Sequence, residues 1–379
     1  MRVLIAPDKL KGSLTAAGAA AAMARGVERA GGGSSELLPL ADGGEGTLEA
    51  VLGALGGDVH GVGVHDALGD PCQARLGILP GGRVALIESA DAIGLARLGS
   101  GVRRALDSTS FGVGELIRAA LDRGVATILV ALGGSATNDG GIGAAQALGA
   151  VLTGIATPAR SRDLPAVDTL DLSALDARLA HVELIALCDV DSPLTGPTGA
   201  SQLFGAQKGL GPADAARLDQ ALAALAARFS LDSAAAGMGA AGGLGFGLAA
   251  FAGAKRVSGA DWVLDAMRFD ERARQSDLVL TAEGRLDAQS LAGKLVVRVG
   301  ERAARVGTPA AALAGSVEVS EAQLAAHGLL AAFALGDGRV SEAESMARVA
   351  ELLEAAAERA VNAFCSGTAR ARRSRKAPS

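Results

Sequence analysis

Lysine is scarce in this chain and is kept where chemistry could be done. Six of the 36 basic residues are lysine, and four of the six lie in glycine- or acid-rich loops. They are Lys9 and Lys11 in APDKLKGSL, Lys208 in FGAQKG and Lys294 in TAEGRLDAQSLAGK. Arginine is the general surface cation here, so lysine retained against that bias marks sites that want a compact, strongly hydrated point charge. Phosphate held among backbone amides is such a site. The acids follow the same placement: Asp42 in ADGGEGT, Asp189 and Asp191 in CDVDSPLTG, and Glu283 in TAEGRLD. Paired aspartates at a strand end hold magnesium or take a proton from a hydroxyl.

The strongest single loop follows the apolar run ATILVAL. It reads Gly133-Gly134-Ser135-Ala136-Thr137-Asn138-Asp139-Gly140-Gly141 and leads into a helix over 142–148. A strand, a glycine-rich turn with hydroxyls and a helix start form a phosphate cradle by physical logic, with Gly133, Gly134, Ser135, Thr137, Asn138 and Gly140 as its members. No GxxxxGK[ST] occurs in the chain, so this is not a Walker A loop. A GxGxxG match at Gly237, Gly239 and Gly242 follows a loop or helix rather than a strand, which makes a dinucleotide site a poor reading of it.

These loops need elements to position them. Short apolar runs at 2–6, 84–87, 127–132, 184–187, 278–281 and 310–314 predict buried strands. Alanine-rich stretches with helical spacing lie at 14–30, 112–123, 212–229 and 341–364, the first with Ser13 as its expected cap. The alternation predicts an α/β fold whose ligands sit beyond the carboxyl ends of the strands. With 379 residues, two domains are expected: a discontinuous Rossmann- or flavodoxin-like parallel-sheet domain from 1–56 plus 276–365, and an inserted second α/β domain from 57–275. Residues 54–83 alternate apolar and polar with turn signals, which predicts antiparallel hairpins at the start of the insertion. The tail 366–379 reads as disordered and basic.

Composition removes several classes. Aromatics make up 2% of the chain and tyrosine is missing, so there is no stacking platform for single-stranded nucleic acid. A net charge of −5 argues the same way. Cys72, Cys188 and Cys365 show no CxxC spacing, and Met1 leads straight into a strand-like run; both fit a reducing, cytoplasmic setting. Residues 233–254 carry no charge but contain seven glycines, which predicts a buried or ligand-facing segment rather than a membrane span.

In order along the chain, APDKLKGSL, ADGGEGT, LGGSATNDGG, CDVDSPLTG, FGAQKG, GAAGGLG and TAEGRLDAQSLAGK resemble the bacterial glycerate kinase family of the D-glycerate 2-kinase type. The resemblance runs from Met1 to about Cys365. Ser192, Ala206 and Ala282 depart from the usual asparagine, proline and glycine, and these loop-shape changes spare the charged groups. The resemblance implies a two-domain α/β protein with its active site in the cleft, transferring the γ-phosphate of ATP to a hydroxyl of D-glycerate, with ATP and Mg2+ as cofactors. The product is then 2-phosphoglycerate, with 3-phosphoglycerate as the alternative. Loop chemistry and resemblance together place Asp42, Asp189, Lys208 and Lys294 in catalysis, with Asp42 or Asp189 as the base. Lys9, Lys11 and Arg285 are then candidates for the glycerate carboxylate, and Asp189, Asp191 and Glu283 for magnesium. Expected partners are D-glycerate, ATP and a second copy in a homodimer, with no nucleic acid or membrane. Two other classes stand beside this reading: a non-catalytic nucleotide or anion sensor, and an NAD-dependent hydroxy-acid oxidoreductase. The latter needs a dinucleotide fingerprint where the first strand instead ends in PDKLKG.

Overall fold

The computed structural model describes residues 1–31, 33–99, 103–336 and 342–376. The chain divides into two compact units, Met1–Asp42 with Val263–Ser379, and Gly43–Trp262. Both crossings fall earlier than the expected boundaries after 56 and 275. The reason is local packing: Gly43 lies against Gly259 and Leu187, and the helix Thr47–Leu55 is tied by its Leu48 N–H to Glu88. The ADGGEGT loop and its helix therefore go with the second unit.

Five parallel strands form the sheet of the first unit, in the order Leu329–Ala334, Ala310–Val317, Leu278–Leu286, Arg2–Ile5, Ser34–Leu37. Counted along the chain within the unit, that order is 2-1-3-4-5, the flavodoxin-like arrangement with its switch point between the first and third strands. The runs VLI and LVL lack polar alternation because both faces are covered. Val3, Ile5, Leu278 and Leu280 share a core with Met23 of the helix Ala16–Arg29 and with Leu353 and Val361 of the helix Val349–Lys376. Thr15, not Ser13, caps the first helix, accepting the Gly18 N–H at 3.1 Å. The Ser13 hydroxyl is drawn instead to the Leu10 carbonyl at 3.0 Å, inside a turn that pairs Leu10 with Leu14. The last helix runs on to Lys376 where disorder was expected, in keeping with the helix preference of alanine and arginine and the lack of proline before Pro378. Residues 377–379 lie outside the described residues.

The second unit holds a six-stranded sheet in the order Lys255–Val257, Glu183–Leu187, Thr127–Ala131, Val84–Glu88, Pro71–Ile78, Asp58–His65. The first four are parallel, and the last two form the antiparallel hairpin expected from the alternating stretch. The uncharged segment becomes the helix Ala240–Ala252, whose start at Ala241, Gly242 and Gly243 is left-handed and lies against the glycine-rich 137–141 turn. Among the described residues no helix is long and apolar enough to cross a membrane.

Candidate active site

In the first unit, carboxylates gather at the sheet's switch point. Asp8 follows the strand Arg2–Ile5, and Glu283 lies near the carboxyl end of Leu278–Leu286. That strand runs past the expected end at Thr281, so Glu283 and Arg285 stand on it rather than in the loop beyond. The Asp8 carboxyl, nearly buried, is pushed up to about 8. Burial is the main cause and the Asp42 charge the next, with Glu283 adding; the Lys9 N–H, 2.6 Å from Oδ1, and the Lys9 ammonium oppose. Burial likewise raises the Glu283 carboxyl, with Asp42 and Asp287 adding and Lys294, its Nζ at 3.8 Å, opposing. Like charges held together out of water favour a shared proton or an added cation. Sequence reasoning singled out Asp42, Glu283 and the lysines but passed over Asp8, although it stands in PDKLKG. Arg285 is exposed and spends its guanidinium on Asp287 at 3.2 Å and Glu318 at 2.7 Å. Lys11 is exposed.

The second unit brings two glycine loops together. A Cβ on Gly133 would sit 2.6 Å from the Gly44 Cα, so ADGGEGT and LGGSATNDGG meet backbone to backbone. Gly133 and Gly134 are the part of the 133–141 loop that solvent reaches. Just inside, Lys208 is buried, its ammonium donating to the Thr137 carbonyl at 2.7 Å and to Ser135 Oγ at 3.3 Å. Burial lowers its pKa to about 8, against the raising charge of Asp139.

The inner half of that loop is structural. Thr137 and Asn138 are buried, Gly140 donates its N–H to the Gly242 carbonyl at 3.0 Å, and Asn138 Nδ2 donates to Ser201 Oγ at 2.7 Å. Asp139 is fully buried and accepts from the Ser110 N–H and hydroxyl, both at 2.8 Å, and from the N–H groups of Gly141 (3.1 Å) and Gly143 (3.3 Å). The helix start that the sequence offers to a phosphate is thus taken by the chain's own anion. Nothing in the local order Asn138-Asp139-Gly140-Gly141 signals that burial, since the Ser110 donors come from a separate segment.

Asp189 is also engaged within the chain. Its Oδ1 accepts from Ser258 Oγ at 2.7 Å and its Oδ2 from the Ala260 N–H at 2.8 Å, which fixes the start of the helix Gly259–Ala266. Asp191 is largely exposed and pairs with Arg256 at 2.9 Å. The magnesium set expected from Asp189, Asp191 and Glu283 is divided, two on one unit and one on the other. Glu88, one residue past the apolar run 84–87, is buried and holds the Leu48 N–H, thereby pinning the ADGGEGT turn.

The glycerate kinase family profile matches residues 3–365. This chain belongs to the glycerate kinase family. The glycerate kinase of Bacillus subtilis strain 168 is 40% identical over 363 residues, covering 93% of this chain and 95% of the relative. The glycerate 2-kinase of Escherichia coli K12 is 39% identical over 344 residues, covering 88% and 90%. A crystal structure from Salmonella typhimurium LT2 assigned to glycerate kinase 2 superposes with a TM-score of 0.81 at 40% identity, covering 97% of this chain and 99% of that one.

Against this glycerate kinase framework the α/β fold and the family read from the motifs both stand. The site residues divide by unit: Lys9, Lys11, Asp42, Glu283, Arg285 and Lys294 lie on the first, and the 133–141 loop, Asp189, Asp191 and Lys208 on the second.

Proposed function

We propose that this protein is an ATP-dependent glycerate kinase forming 2-phosphoglycerate in the cytoplasm. The hydroxyl oxygen at carbon 2 of D-glycerate bonds to the γ-phosphorus, the bond to the β-phosphate oxygen breaks, and ADP and a proton leave. What carries the reading is near full-length similarity to glycerate kinases in a chain that keeps raised carboxyls beside lysines at its switch point.

Phosphoryl transfer needs positioning, charge neutralisation and a proton acceptor. Lys208 and the Gly133–Gly134–Ser135 lip suit the phosphates, because a buried ammonium and open glycine backbone sit together there. Lys9 and Lys11 are the better candidates for the glycerate carboxylate, since Arg285 is already paired twice. Asp8 suits the proton acceptor: a carboxyl pushed near the working pH balances availability against basicity.

Among the described residues no group of three or more His, Cys, Asp or Glu is arranged to hold a metal. Magnesium seldom asks for one, taking one or two carboxylates with phosphate oxygens and waters. Glu283 with Asp42 fits that demand, because their mutual repulsion is what a cation would relieve. Asp189 fits less well, with both oxygens already accepting. When bound, the ion would neutralise phosphate charge.

An ADP-release assay with D-glycerate, followed by phosphorus NMR of the product, tests the reading. ADP formation that depends on D-glycerate and a 2-phosphoglycerate resonance are expected. A 3-phosphoglycerate resonance would correct the product, and no glycerate-dependent ADP would sink the kinase reading in favour of a nucleotide or anion sensor.

A further inference from the structure

The sheet of Gly43–Trp262 has two unlike edges. One, Lys255–Val257, is three residues long and includes Lys255 and Arg256. Short, charged strands are a common guard against pairing with another sheet. The other edge, Asp58–His65, is eight residues long, has no lysine, arginine or proline, and keeps an unbroken register with Pro71–Ile78. Its backbone groups alternate in direction. Across the hairpin the Asp66 N–H donates to the Asp70 carbonyl at 2.8 Å, whereas the adjacent His65 N–H donates to Glu115 at 2.7 Å. Even-numbered residues thus face the neighbouring strand and odd-numbered ones face away. Glu115 closes the His65 position. Val59, Gly61 and Gly63 remain along the edge, all exposed, and among the described residues no strand pairs with them on that side.

We propose that this edge is a self-association surface, on which two copies pair Asp58–His65 antiparallel about a twofold axis and join their six-stranded sheets. The occupant follows from self-complementarity. With the axis at Gly61, Gly61 stands opposite its own copy and Val59 opposite Gly63 of the second copy. These are hydrogen-bonded pairs, so the outward N–H and carbonyl groups of all three residues are used on both copies. Val59, 53% exposed, then lies over a position without a side chain. The strand's one acid, Asp58, falls opposite Val64, so like charges do not meet. Moving the axis to Val62 would require the His65 N–H that Glu115 already holds. This inference does not depend on the kinase reading.

Sedimentation velocity of the full chain, from about 1 to 100 µM, reads the association directly. Wild type is expected to run as a dimer. Val59→Lys, which charges the exposed face, and Gly61→Pro, which deletes the central outward donors, should each weaken it at least about tenfold. Val59→Lys should leave the far-UV circular dichroism spectrum unchanged, which separates lost pairing from lost folding. Slowed amide exchange at Val59, Gly61 and Gly63 that grows with protein concentration should accompany the dimer. A wild-type chain that stays monomeric at the top concentration, or a Val59→Lys dimer as tight as wild type, would overturn the proposal.

Discussion

The buried ammonium of Lys208 donates to the carbonyl oxygen of Thr137 at 2.7 Å. One lysine from FGAQKG therefore ties down the middle of LGGSATNDGG, and it does so just inside the lip formed by half-buried Gly133 and exposed Gly134. Holding a charge in a dry place is costly unless it is used. Lys208→Met should lower kcat by roughly a hundred- to a thousandfold, as loss of a donor to transferred charge does. Stability should change by less than about 1.5 kcal/mol, because the lost hydrogen bonds offset the relief of a desolvated cation. A steady-state assay paired with thermal unfolding checks both, and unimpaired turnover would take Lys208 out of the reaction.

The same residue sets a pH limit. With its pKa lowered to about 8, Lys208 loses its charge as pH rises through that value, so kcat/KM should fall there. The stability contribution has the opposite sign. Between about 8 and the unfolded value of 10.5 the unfolded chain binds more protons, so this group makes folding more favourable as pH rises across that window. A rate profile that falls above about 8 while urea midpoints do not fall in step would bear this out.

Gly242 is held at φ 70°, where a Cβ would come within 1.9 Å of the Thr137 carbonyl oxygen. Gly242→Ala should cost about 1–3 kcal/mol from overpacking and roughly 1 more from the left-handed backbone. Because the displaced atom is the one that Lys208 holds, KM for ATP should rise along with the drop in unfolding midpoint. An alanine variant as stable as wild type would mean that the two loops do not pack in this way.

Glu283 and Asp189 should respond differently to metal. Glu283→Gln should lower turnover at least about tenfold and recover in part with manganese or raised magnesium. Asp189→Asn should put an amide donor against the Ala260 N–H and lose about 1–3 kcal/mol of stability, with no recovery by metal. Asp191→Asn, which breaks only an exposed pair with Arg256, should alter stability by less than about 1 kcal/mol. Manganese rescue of Asp189→Asn would move the metal to the CDVD turn.

Much of this was fixed by local chemistry and could be read without coordinates. Runs such as VLI and LVL can only be strands buried on both faces, and the alternating 58–78 stretch can only be a half-exposed hairpin. Marking the Lys208 loop as a candidate needed no more than the scarcity of lysine and its glycine neighbours. Tertiary structure decided which polar groups face outward and which are used up inside. Asp139 and Asp189 look as available in sequence as Asp42 does, yet four and two donors respectively enclose them. Asp8 looks like one more turn residue until burial, with the charges of Asp42 and Glu283 from distant parts of the chain adding to it, raises its carboxyl. Periodicity reports which face of an element is buried. Whether a carboxylate meets a hydrogen-bond donor or another carboxylate depends on segments far along the chain, and only the folded packing brings those together.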